Sequence, residues 1–292
     1  MNNKSSTEIV QSLVLKAKKA QSIFENFNQN QVDEIVTAVA WAICKPSNNE
    51  KISNLAVDIT GLGNADDKIL KNRRKTLGLL RDLKKIKTVG IINEDKEKGI
   101  IEIAKPVGVI AAVTPSTNPA ATPINNIINA LKTRNSIIVS PSPAGSKVFI
   151  DLLVLINIEL NKVGAPKNLI QTFDCDITKE LTNELMENVD LVIVTGSLNN
   201  VKQAAKSGSK AIGVGQGNVT SIVDETADLE DAFKKIKMSK TFDNATSCSS
   251  ENNLILIEDI YEKSINLLTK ENAVLLNKNQ KEVLQKNLWL DG

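Results

Sequence analysis

The chain has no histidine among its 292 residues. That absence removes every catalytic design in which an imidazole takes or gives a proton, the Cys–His and Ser–His pairs included. It also removes zinc sites built from Cys and His, and three cysteines cannot fill a site of four thiolates. Spaced as widely as Cys44, Cys175 and Cys248, those three do not make a disulfide framework either. Aromatic residues are only 3% of the chain, too few for a base-stacking surface on single-stranded nucleic acid. Neither charge dominates: 36 basic and 34 acidic side chains leave +2, so no bulk field favours nucleic acid or an anionic membrane. No apolar run is long enough to span a bilayer, and the opening Met-Asn-Asn-Lys-Ser-Ser-Thr-Glu lacks the apolar centre of a signal peptide. The expectation is a cytoplasmic protein without nucleic-acid or membrane partners and without a metal site.

What is present fits a globular protein, with 41% apolar and 24% charged residues. The length suits one large domain or two ordinary ones. Residues 8–24 and 31–44 carry apolar side chains at helical spacing, among them Ile9, Leu13, Ala17, Phe24, Val32, Ile35 and Val39. Segment 66–87 is basic and amphipathic and reads as a helix with a solvated face. From about residue 100 short apolar runs alternate with helical stretches, as a parallel α/β sheet requires. Strands are expected at 107–113, 136–140, 169–173, 191–194 and 220–223. Helices fall between them, near 120–133, 146–163, 178–188, 198–207 and 227–240. The fold class is therefore α/β: an open, mostly parallel sheet preceded by helices. Cys44, at the end of an apolar helix, and Cys175, just after a strand, read as small buried or semi-buried residues.

Three places carry chemistry. Cys248 sits in Lys240-Thr-Phe-Asp-Asn-Ala-Thr-Ser-Cys-Ser-Ser-Glu-Asn252. With no imidazole to help, a reactive thiol there needs backbone N–H groups, a helix terminus or a cation. Gly196 and Ser197 follow a strand and open a helix, where unpaired N–H groups can hold a phosphate; an ordinary turn capped by Ser197 fits the same residues. The turn Thr114-Pro-Ser-Thr-Asn-Pro119 lies at the C-terminal end of a strand, the edge on which open α/β sheets bind ligands. Asn118 within it suits a helix N-cap, or equally an oxyanion donor worth about 3–4 kcal/mol of barrier. By contrast, Gly213-Val-Gly-Gln-Gly217 is not a dinucleotide fingerprint, because its glycines lead into a strand rather than a helix. Glycines here let the backbone approach a ligand or the nucleophile loop closely.

Four stretches together resemble the CoA-acylating branch of the aldehyde dehydrogenase superfamily. They are Lys105-Pro-Val-Gly-Val-Ile-Ala-Ala-Val-Thr-Pro-Ser-Thr-Asn-Pro119, Ala130-Leu-Lys-Thr-Arg-Asn135, 211–228 and 239–252. The resemblance implies that Cys248 is the nucleophile and Asn118 the oxyanion donor. It places Thr114, Pro115, Ser140, Ser142, Gly196, Ser197 and Gly215 along a nicotinamide dinucleotide. The implied architecture is a dinucleotide-binding domain with N-terminal helices over 1–240, then the first, truncated part of a second α/β catalytic domain over 241–292. Hydrolytic members carry a glutamate general base at the position of Gly213. Glycine there implies that coenzyme A, not water, takes the acyl group from the Cys248 thioester.

The segment 239–252 is similar to that of acylating sulfoacetaldehyde dehydrogenases, and the hydroxyls of Thr246, Ser247, Ser249 and Ser250 suit a polar or anionic substrate tail. Sulfoacetaldehyde is thus the favoured small aldehyde, ahead of acetaldehyde, propionaldehyde and succinate semialdehyde. An inactive nucleotide-binding fragment and an acyl-phosphate reductase are the alternatives from other classes. The 141–147 turn offers Ser142, Ser146 and Lys147 but no acid that would repel a 2′-phosphate, so NADP is favoured over NAD. Full-length proteins of this branch are expected to be homo-oligomers.

Overall fold

The computed structural model describes residues 5–288. Four helices open the chain: α1 (Ser6–Phe24), α2 (Gln29–Cys44), α3 (Pro46–Thr60) and α4 (Ala65–Leu83). Each starts where the sequence can satisfy free N–H groups or omit one. Ser5 with Glu8 and Asn28 with Gln31 form reciprocal capping boxes, Pro46 opens α3, and Asn64 accepts from the Asp67 N–H. The helix α3 lies within the first part of the chain, about residues 6–90, which is helical in pattern. An antiparallel hairpin, which was not expected, follows in β1 (Gly90–Asp95) and β2 (Ile100–Ala104).

The alternating region then runs β3 (Val109–Thr114), α5 (Ala121–Lys132), β4 (Ser136–Pro141), α6 (Ser146–Lys162), β5 (Ile170–Gln171), α7 (Lys179–Glu187), β6 (Leu191–Thr195), α8 (Leu198–Lys206) and β7 (Lys210–Val214). Its five strands form one parallel sheet in the order β5-β4-β3-β6-β7. Every residue of β3 and β4 is buried, which is why these strands read as continuous apolar runs. Successive side chains go to opposite faces. Ile110, Ala112, Ile137 and Val139 join one core with α2, α5 and α6, while Val109, Ala111, Val113 and Ile138 join a second with α1 and α7. The chain reverses the direction of strand addition between β3 and β6, so a crevice opens outside their C-terminal ends.

Later in the chain come β8 (Val219–Val223), α9 (Leu229–Thr241), β9 (Glu251–Leu256), α10 (Tyr261–Lys270) and α11 (Lys278–Leu288). Strands β8 and β9 pair in parallel, and Val223, Leu229, Phe233 and Ile260 form a small core. Cα packing divides the chain into two compact units, Met1–Gln216 and Gly217–Gly292. The outermost parts of the expected segments, 1–4 and 289–292, lie outside the described residues. Among the described residues no helix is long and apolar enough to cross a membrane.

Three expectations change. Lys68 and Lys71 of α4 are only 4% and 3% exposed, so that helix buries part of the face read as solvated. The reason is a polar seam between α3 and α4: Asn72 donates to Asn49 and Ser53, and Asn49 donates to the Ile69 carbonyl. Gly213 and Val214, at the start of the Gly-rich stretch 213–217 expected from the sequence as a loop, instead end a strand, because β7 pairs with β6 as far as Thr195 and Val214. Cys175 is exposed, placed in a turn between Asp174 and Asp176 whose carboxylates stay in water; Cys44 is half-buried.

Candidate functional site

The crevice at the sheet edge holds about 450 Å³ and brings together Thr114 and Pro115 after β3, Ser140 and Ser142 at the end of β4, and Gly196 and Ser197 after β6. Gly215 is not on its wall. Parallel registry explains the convergence, since Val113 pairs with both Ser140 and Val194 and so sets the three turns level. The turn after β4 is tied to the turn after β3 by the Ser142 N–H donating to the Thr114 carbonyl at 2.9 Å.

Most hydroxyls here also have a local task. Ser197 caps α8 by accepting from the Asn200 N–H, and Ser142 accepts from the Gly145 N–H at 3.2 Å. Ser140 and Thr182 share a hydroxyl contact of 3.0 Å. Thr114 differs. Its residue is 2% exposed, yet its Oγ1 has no partner among the described residues. A buried hydroxyl left alone costs about 1–3 kcal/mol, so its position on the crevice wall points to a bound group. Among the described residues, no Asp or Glu lines the crevice. The N-terminal end of α8 and a wall free of carboxylates fit a phosphate-bearing dinucleotide. Lys147 does not line it; that ammonium pairs with Asp151 at 2.7 Å on the exposed side of α6.

Asn118 lies on the turn between β3 and α5. Its side chain does not cap α5, whose N-cap residue is Ala120 without a side-chain hydrogen bond. Instead, Asn118 Oδ1 accepts from Lys71 Nζ at 3.0 Å, and its Nδ2 donates to Thr117 Oγ1 at 3.3 Å. An ammonium can only donate, so it fixes which way the amide faces. Lys68 Nζ reaches the Thr117 carbonyl at 3.5 Å on the same turn. Neither lysine was singled out by sequence. The available signal was their i, i+3 spacing in a helix that also carries Asn72, which places all three near one face.

Cys248 is exposed, on the loop between α9 and β9. The loop is approached by strained backbone: Asp243, Asn244 and Ala245 have φ of 52°, 51° and 61°, three successive non-glycine residues in the left-handed region. Thr246 secures that bend, its Oγ1 donating toward the Asp243 carboxylate at 2.8 Å. Ser247 and Ser249 share a contact of 3.1 Å, and Ser250 is buried with its Oγ unpartnered among the described residues. Gly217 packs so tightly on this loop that a Cβ there would lie 2.3 Å from the Cys248 carbonyl oxygen. Close backbone approach is thus what that glycine permits. At Gly213 the reason is different: a Cβ would meet Val201 Cγ1 of α8 at 2.6 Å, while nothing lies within 4 Å at Gly215. Among the described residues no group of three or more His, Cys, Asp or Glu side chains could hold a metal ion. Burial first, then the charges of Asp174 and Asp176, push the Cys175 thiol up, and burial likewise raises that of Cys44.

The sequence pattern of the aldehyde dehydrogenase family matches residues 2–283. A sulfoacetaldehyde dehydrogenase (acylating) from Cupriavidus necator is 50% identical over 285 residues, covering 98% of this chain and 58% of that protein. An acetylating aldehyde dehydrogenase from Geobacillus thermoglucosidasius superposes with a TM-score of 0.92 at 37% identity, over 98% of this chain and 63% of that one. A propionaldehyde dehydrogenase from Rhodopseudomonas palustris, with bound CoA and an acylated cysteine, gives 0.84 at 32% identity, over 96% and 64%. The chain therefore spans little more than half the length of the curated relative, 58%. The match along nearly its whole length, on a five-stranded parallel sheet with a crevice at its switch point, shows that the chain belongs to the aldehyde dehydrogenase family.

Proposed function

We propose that this chain carries the nucleophile and the dinucleotide crevice of a CoA-acylating aldehyde dehydrogenase acting on a small, polar aldehyde, with sulfoacetaldehyde the favoured substrate. The observation that carries the reading is an exposed Cys248 in a chain without histidine, whose position 213 has no space for a base because Val201 fills it. In this reading Cys248 Sγ adds to the aldehyde carbon, and Asn118 Nδ2 with the Cys248 backbone N–H meets the oxyanion that forms. Lys71 holds the Asn118 amide oxygen away from that task. Thr114, Pro115, Ser140, Ser142, Gly196 and Ser197 would hold the dinucleotide; Gly215, which is off that wall, joins them on the family resemblance alone. NADP is favoured over NAD because no carboxylate lines the crevice among the described residues. A nicotinamide bound there supplies the hydride acceptor, and coenzyme A the thiol that takes the acyl group. Oxidation leaves the acyl group on Sγ as a thioester, which no side chain at Gly213 can hydrolyse by activating water.

The substrate class rests on the hydroxyl-bearing residues around Cys248 and on the likeness to the acylating sulfoacetaldehyde dehydrogenase. Acetaldehyde, propionaldehyde and succinate semialdehyde are the competing aldehydes. The test is formation of reduced dinucleotide by the purified chain with each aldehyde, with and without coenzyme A. Turnover is expected to require coenzyme A and to vanish in Cys248→Ala. Turnover that survives Cys248→Ala sinks the mechanism. A folded chain that binds dinucleotide but turns over no aldehyde sinks the enzyme reading and leaves a nucleotide-binding module.

A further inference from the structure

Two separate helix N-termini face the crevice. One is α8, with Gly196 and Ser197; the other is α7, whose first residue Lys179 lines the crevice along with Thr178 and Thr182. Among the described residues, Lys179 is the only cationic side chain that lines the crevice, and no acidic side chain lines it. The α7 end also favours negative charge on independent grounds. The Glu180 carboxyl is held below the usual carboxylate range by its own backbone N–H and by the Thr178 hydroxyl, with Lys179 a smaller contributor. Lys147, the other cation near the β4 turn, is removed by its pairing with Asp151.

A ligand with a single anionic group would engage only one of these two poles. NAD has one such group, its diphosphate, and a helix N-terminus such as that of α8 suits it. A phosphate monoester on the adenosine ribose adds a second. We infer that Lys179, with the N-terminus of α7, is the specificity-determining site for a ribose-borne phosphate, whether the 2′-phosphate of NADP or the 3′-phosphate of coenzyme A. This rests on the reading of the crevice as an adenosine-nucleotide site. The Thr114 hydroxyl, unpartnered among the described residues, lines the same crevice and independently points to a bound ligand.

The experiment is calorimetric titration of the 292-residue chain with ADP, adenosine 2′,5′-bisphosphate and adenosine 3′,5′-bisphosphate. It is run on the wild type, Lys179→Glu and the control Lys147→Glu. Glutamate is favourable in a first helical turn, so Lys179→Glu keeps α7 intact. One bisphosphate is expected to bind at least about tenfold more tightly than ADP, as befits one desolvated charge pair in a crevice. Lys179→Glu is expected to erase that preference, and Lys147→Glu to keep it. The isomer preferred identifies the source: 2′ for NADP, 3′ for coenzyme A. A preference that persists in Lys179→Glu, or is missing from the wild type while ADP binds, overturns this assignment alone. A folded chain that binds none of the three overturns the crevice reading and this assignment with it.

Discussion

At Asn118 the direction of one amide decides what the residue can do. Lys71 donates to Oδ1 at 3.0 Å, which leaves both amide protons on the side away from the ammonium. A neighbouring positive charge also polarises the amide and strengthens it as a donor. Asn118→Ala is expected to lower kcat by about 100- to 1000-fold with little change in KM, the usual cost of one oxyanion donor. Lys71→Met leaves the amide present, with its bond to Thr117 Oγ1, but without the ammonium that fixes its direction, so its expected loss in kcat is smaller, about tenfold. Steady-state kinetics of CoA-dependent dinucleotide reduction check both. Equal losses in kcat/KM arising from KM alone would show that the pair binds substrate rather than stabilising charge. Sequence periodicity could not reveal this arrangement. A buried lysine and a solvated one look the same in a basic amphipathic segment, and an asparagine ahead of a helix is most often its cap.

Strand β3 carries the crevice, and its start is held by two side chains from elsewhere in the chain. Asn135 Oδ1 accepts from the N–H groups of Val107 and Gly108 at 2.7 and 2.9 Å, and Asp190 Oδ2 accepts from Val109 at 2.8 Å. Gly108 sits between them at φ 127°, where a Cβ would fall 2.2 Å from Asp190 Oδ2. Gly108→Ala must therefore displace the carboxylate as well as strain the backbone. The expected destabilisation is about 1–3 kcal/mol, read as a lowered midpoint in denaturant at unchanged slope. An unchanged midpoint would mean that β3 is positioned by its neighbours without these ties. The same element shows what was readable beforehand. Parallel strands buried on both faces, β3 and β4, stand out as apolar runs, and the turns after them follow directly. The hairpin β1–β2 and the strand β7 do not, because their residues are almost all exposed and their sequences mix Ile with Asn, Glu, Lys and Gly. Those strands are specified by pairing with a neighbour, which a single segment does not display. Lys179 was missed for a related reason: only the fold shows which lysine the crevice meets.

On the scale of the whole molecule, the crevice and the nucleophile belong to different compact units. Every residue on the crevice wall falls between Val113 and Gln203, inside Met1–Gln216, whereas Cys248 belongs to Gly217–Gly292. The two large cores, one between the sheet and α2, α5 and α6, the other between the sheet and α1 and α7, also lie wholly within the first unit. A domain of this size buries most of the surface its unfolded chain exposes, which is enough for independent stability. Among the described residues, the second unit has a core of four buried apolar residues, Val223, Leu229, Phe233 and Ile260, and helix α11 contributes none. So small a core gives little stability by itself. A protein ending at Gln216 is therefore expected to melt in one cooperative transition by circular dichroism. It should bind NADP with an affinity within about twofold of the 292-residue chain, as expected for independent parts. A segment starting at Gly217 should show only a shallow, low-temperature transition. Loss of NADP binding by a cooperatively folded 1–216 would mean that residues after Gln216 contribute to the site. It would move Gly217 and the Cys248 loop from the chemistry alone into cofactor recognition as well.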